Sequence, residues 1–127
     1  MTDFIYLGKI NVQPLEAEFG KLKTDDIIIT SERIEHIKLR HSADYELFEK
    51  YGVLAVTNPD IIIKDCKNKA TVFMIKRLSG TNINVVARLV VSDDNDRFKN
   101  SVMTFYRIRN KNLLKLIKAN KILDKNE

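Results

Sequence analysis

Hydrophobic and polar positions change period partway along this 127-residue chain. Residues 4–12, Phe-Ile-Tyr-Leu-Gly-Lys-Ile-Asn-Val, read as a short strand that Pro14 closes, and Asp26 to Thr30 reads as a second extended segment. From there the apolar positions follow helical spacing. Thr30 or Ser31 supplies an N-cap, Glu32 and Glu35 suit the positive end of a helix dipole, and a helix is predicted from about Ser31 to His41. A second is predicted from about Asp44 to Tyr51, with Leu47, Phe48 and Tyr51 on one face and Gly52 as its stop.

After Asn58-Pro59-Asp60, a turn because the residue before proline is pushed out of helical geometry, the pattern becomes that of strands. Strands are predicted at Ile61–Lys64, Thr71–Leu78, Ile83–Val91 and Val102–Ile108, separated by polar loops at 65–69, 79–82 and 92–99. This spacing predicts an antiparallel meander. Lys111 to Lys121 closes the chain as an amphipathic helix, with Leu113, Leu116 and Ile117 inward and lysines outward. The expected architecture is α+β: N-terminal helices packed on a four-stranded antiparallel sheet, with a basic C-terminal helix.

Composition adds little until charge is mapped along the chain. A single domain of residues 1–127 is expected at this length, and 44% hydrophobic with 31% charged content is ordinary for a soluble protein. The lone Cys66 excludes an internal disulfide and fits a reducing cytoplasm. With no C-x-x-C or close His/Cys cluster, no metal site or cofactor is expected. The amino terminus does not read as a secretory signal, and no apolar run reaches the roughly 20 residues that would span a bilayer, so no membrane partner is expected. Residues 1–60 carry 7 Lys/Arg against 11 Asp/Glu, whereas residues 61–127 carry 15 against 6. A basic half can hold a polyanion by replacing counterions on its phosphates.

Candidate chemistry then centres on the two histidines. On an ideal helix His41 shares the stripe of Ile34 and Ile37, whereas His36 lies on a different face nearer Arg33 and Arg40. The two rings therefore do not act as a pair from one face. His41 reads either as a core-facing ring satisfied by a carbonyl or as a catalytic ring at the helix end; His36 reads as a solvated position or a phosphate contact. Arg88 sits between Val86 and Val90 on the third strand of the meander, an unusual setting for a guanidinium. Lys76, Arg88, Thr104 and Tyr106 read either as edge charges and a β-favouring threonine, or as a concave cluster holding a phosphate. Tyr106, Arg107, Arg109, Lys111 and the lysines after them read as a solvated helix face or as a phosphate-tracking surface with one stacking ring.

The segment Thr30-Ser-Glu-Arg-Ile-Glu-His-Ile-Lys-Leu-Arg-His41, with Asn58-Pro59-Asp60 and Asn100-Ser-Val-Met-Thr-Phe-Tyr-Arg107, resembles the phage-associated barnase–EndoU–colicin–RelE-like nucleases. The resemblance covers about residues 30–121 and leaves 1–29 as an N-terminal extension. It implies a toxin-type ribonuclease that works without metal, directed at tRNA or other structured RNA. In such enzymes the strand's own 2′-OH attacks the neighbouring phosphate, leaving a cyclic phosphate. The E-R-I-x-H-I-x-x-R-H pattern falls on Glu32, Arg33, His36, Arg40 and His41, and N-S-V-x-T-x-Y falls on Asn100, Ser101, Thr104 and Tyr106. The resemblance implies His41 as general base or acid, Arg88 or Lys76 as a clamp on the phosphorane, and Ser101 with Thr104 as positioning groups.

The leading expectation is a cytoplasmic endoribonuclease toxin, bacterial or phage-encoded, with an acidic antitoxin or immunity protein as its partner. A non-catalytic nucleic-acid-binding domain of the same fold is the alternative, and an enzyme acting on a small phosphorylated molecule is a third.

Overall fold

The computed structural model of the chain describes residues 3–95 and 97–126. Its first structured stretch is strand β1 (Phe4–Lys9), followed by helix α1 (Gln13–Phe19) and strand β2 (Asp26–Thr30). Helices α2 (Ser31–Arg40) and α3 (Ser42–Thr57) come next, then strands β3 (Ile61–Lys64), β4 (Thr71–Leu78), β5 (Thr81–Arg88) and β6 (Asn100–Ile108). Helix α4 (Asn110–Ala119) and strand β7 (Lys121–Lys125) complete the described chain.

The expected four-stranded antiparallel sheet is corrected here. One seven-stranded mixed sheet runs in the order β1-β2-β6-β5-β4-β3-β7, and β2 lies parallel to β6. Strands β3 to β6 do run antiparallel to one another, but as the middle of a wider sheet. The last helix stops at Ala119 instead of running to Lys121, and an unexpected strand, β7, follows it. Asn120 explains the break: its Nδ2 donates to the Leu116 carbonyl at 3.0 Å while its Oδ1 accepts from the Cys66 N–H at 2.9 Å. The chain beyond then pairs with β3.

Two other boundaries differ from the expected ones. Pro14 starts α1 rather than only ending a strand, because its missing N–H is one that a helix's first turn leaves unbonded anyway. Gly52 does not stop α3. A Cβ there would lie 2.6 Å from the Phe48 ring one turn earlier, so the glycine makes room for that ring to stack on Phe105 at 4.1 Å between centroids.

The sheet curls around its main core. Helix α3 lies on the concave face against β1, β4, β5 and β6, burying Phe48, Ala55 and Val56 among Val72, Met74, Val85, Val102 and Phe105. Helix α1 joins β1 to β2 at one edge, yet packs against β7 at the other. Glu18 holds that contact, accepting from Lys121 at 2.5 Å and from Lys64 at 3.1 Å. On the convex face α4 covers only part of the sheet, where Leu113 meets Ile61, Ile63, Ile75 and Ile108.

Asn100 fastens the parallel pair, which has only two residue pairs, Ile27 with Asn100 and Ile28 with Ser101. Its fully buried amide donates to the Thr24 and Asp26 carbonyls, both at 2.9 Å, and accepts from the Val90 N–H at 2.8 Å. Replacing Asn100 with alanine leaves these buried groups unpaired and is expected to cost about 3 kcal/mol, read by urea unfolding. Lys121, then Lys64, hold the Glu18 carboxyl below its ordinary range. A lowered carboxyl gives stability that is complete above the unfolded value and lost as pH falls through the folded one. The urea midpoint of the native chain is therefore expected to exceed that of Glu18→Gln at neutral pH, with the gap closing as pH drops below about 4.3.

Candidate active site

Helix α2 begins where the Thr30 hydroxyl accepts from the Arg33 N–H at 3.2 Å, and it ends at Arg40. His41 leaves the helical path, with φ −142° and ψ 58°. Its N–H still reaches the Ile37 carbonyl at 2.7 Å and its carbonyl receives the Tyr45 N–H at 2.9 Å, so it is both the last cap of α2 and the first of α3. That break takes the ring off the stripe of Ile34 and Ile37, both of which are buried. The His41 side chain is 52% exposed, not sealed in the core.

Asp44, in the first turn of α3, organises what surrounds the ring. Its carboxylate is 14% exposed and accepts from Arg107 Nε at 2.8 Å, while its second oxygen lies 3.9 Å from His41 Nδ1. The longer separation is beyond hydrogen-bond reach. Arg107 is 54% exposed, and its terminal nitrogens bond to nothing among the described residues. Arg109 caps α4 and Lys111 lies in its first turn; both are exposed, as is Arg40 beside His41 in the chain. An imidazole, a half-buried carboxylate and the Arg107 guanidinium thus meet where α2, α3 and β6 end or begin. Asp44 escaped the sequence reading, although its place three residues after His41, in a helix's first turn, was the available signal.

The other expected site residues do not join this group. Lys76 and Arg107 both lie opposite Ile83, on the concave face. Arg88, Ser101, Thr104 and Tyr106 project from the convex face, in register with Thr71, Val86 and Asn84. The expected cluster of Lys76, Arg88, Thr104 and Tyr106 around one phosphate is therefore split by the sheet itself. Lys76 instead braces the turn after α3, donating to the Asn58 carbonyl at 2.9 Å beside Asp60 at 3.4 Å. Asn58 is about 21 Å along the helix axis from Asp44.

Arg88 answers to its own loop. It donates to the Leu89 carbonyl and pairs with both oxygens of Asp94, at 3.2 and 3.3 Å. The Val91 N–H, and after it Arg88, hold the Asp94 carboxyl below its usual range against the opposing effect of desolvation. Tyr106 accepts from Asn84 Nδ2 at 3.0 Å, and the fully buried Asn84 Oδ1 has no partner. His36 is exposed on the outer side of α2, in a cleft with Thr30, Glu32, Arg33, Glu35 and Leu39.

Among the described residues no three His, Cys, Asp or Glu side chains gather as a metal site, and no helix is long and apolar enough to cross a membrane. Comparison with known protein families, curated proteins and solved structures finds no match.

Proposed function

We propose that the chain is an endoribonuclease whose catalytic centre is His41, held by Asp44 and assisted by Arg107. The observation that carries this reading is the Asp44 carboxylate shared between His41 Nδ1 at 3.9 Å and Arg107 Nε at 2.8 Å. On substrate binding the carboxylate closes onto Nδ1, fixes the tautomer and leaves the other nitrogen to exchange a proton with substrate. His41 takes the proton of an RNA 2′-OH as the P–O2′ bond forms and the P–O5′ bond breaks. The departing 5′ oxygen takes a proton from solvent, leaving a 2′,3′-cyclic phosphate and a 5′-OH. Arg107 meets the negative charge that builds on the phosphoryl oxygens. Arg40, Arg109 and Lys111 hold flanking phosphates.

The same basic rim suits an acidic antitoxin or immunity protein, because opposite charge speeds encounter and would cover the catalytic group. A non-catalytic RNA-binding domain is the second reading. It is favoured by the exposure of the His41 side chain, 52% open to solvent at a helix junction.

Incubation with total tRNA in chelator distinguishes the two. The native chain is expected to cut tRNA and leave cyclic phosphate ends. His41→Ala is expected to cut about 10²- to 10⁴-fold more slowly while binding RNA as before. Asp44→Asn is expected to lose less. Intact tRNA with the native chain, or His41→Ala cutting at the native rate, would defeat the ribonuclease reading.

A further inference from the structure

A cleft of about 430 Å³ opens on the convex face at the start of β6, far from the end of that strand where Arg107 stands. Two aromatic rings line it: Phe4 of β1, 48% exposed, and Phe98 of the 92–99 loop, 60% exposed. Thr30 and Ser101 bring hydroxyls to the cleft, and Arg97 and Lys99 bring cations. Neither cation comes within ion-pair distance of a carboxylate among the described residues, although the charge of Lys99 acts on Asp26; Arg88 in the same cleft is paired with Asp94. Half-exposed rings together with open cations and hydroxyls match a nucleotide, whose base stacks and whose phosphate needs positive charge.

The cleft also borders the start of α2, the helix that ends at His41. Thr30 lines both this cleft and the neighbouring one, where Arg33 and His36 stand beside Glu32 and Glu35. Arg33, His36 and Arg40 recur at helical spacing along α2, between the Thr30 cap and His41. From Thr30 to His41 is about 16 Å of helix, a distance that a few nucleotides of single strand can cover.

We propose that the cleft grips an unpaired base of the RNA, a few nucleotides from the bond presented to His41, with Arg33, His36 and Arg40 meeting the phosphates between. What happens at His41 rests on the ribonuclease reading; binding in the cleft does not require cleavage. The proposal also gives the N-terminal strand a role, since Phe4 supplies one of the cleft's two rings.

The test uses a fluorescein-labelled hexamer of riboadenylate, with His41→Ala as the parent so that the probe stays whole. Adding Phe98→Ala or Phe4→Ala is expected to weaken hexamer binding about tenfold, and to leave the weak binding of a labelled dinucleotide within twofold. Phe98 is exposed in a loop, so its truncation is expected to leave the urea midpoint unchanged and keeps the test open should the Phe4 variant fold poorly. Lys99→Glu is expected to weaken hexamer binding and flatten its dependence on salt. Hexamer affinity within twofold of the parent in Phe98→Ala would overturn the proposal, as would an equal loss on the dinucleotide or a parent that does not bind the hexamer. A hexamer bound by the parent, together with RNA of every kind left uncut by the native chain, would overturn the ribonuclease reading alone.

Discussion

The placement of His41 depends on one buried amide. Asn100 ties the Thr24 and Asp26 carbonyls to β6 while receiving the Val90 N–H from the end of β5. Two residue pairs would be a thin parallel junction by themselves, and parallel pairs are slightly weaker per residue than antiparallel ones. With the amide in place, β2 is fixed on β6, and α2 starts at the next residue. His41 therefore stands where β2 and the length of α2 put it, and Arg107 stands seven residues beyond Asn100 on the same strand. Asp44 closes the gap between them.

The sheet then separates two kinds of work. Its concave face packs on α3, so a polar side chain there is either at the rim, as Arg107 is, or occupied in holding a turn, as Lys76 is. The convex face is only partly covered by α4. It leaves Phe4, Tyr6 and Met103 half-exposed on the strands, and Phe98 beside them on the loop. Proton transfer in the proposed mechanism occurs at a helix junction, and substrate grip is assigned to the open sheet and the outer side of α2. Proximity of the base and the cleavage point is then a matter of chain length along α2, not of a single enclosed pocket.

Much of this was legible in the residues. The alternation along 71–78 and 83–88 sorts one face from the other, although β5 ends at Arg88 and not at Val91. The Thr30 cap and the break after Arg40 are equally local. What was not legible depends on distant partners. The helix runs through Gly52 because the Phe48 ring occupies the space a side chain would take, which depends on Phe105 some fifty residues on. Lys-Ile-Leu-Asp-Lys at 121–125 has the short, charged look of an edge strand, and only its pairing with β3 decides its conformation. Lys76 and Arg88 look alike as cations on neighbouring strands, yet the ladder register sends them to opposite faces. The His41–Asp44–Arg107 contact joins a helix junction to a strand 63 residues away from Asp44, beyond any local pattern.

The central claim is that the RNA supplies its own nucleophile and His41 moves its proton. It is tested most directly by mapping one cut in a defined RNA, then replacing the 2′-OH at that nucleotide with hydrogen. The account predicts that the native chain binds both RNAs alike, leaves a 2′,3′-cyclic end on the first and does not cut the altered bond. Cleavage at that bond despite the missing hydroxyl would contradict it.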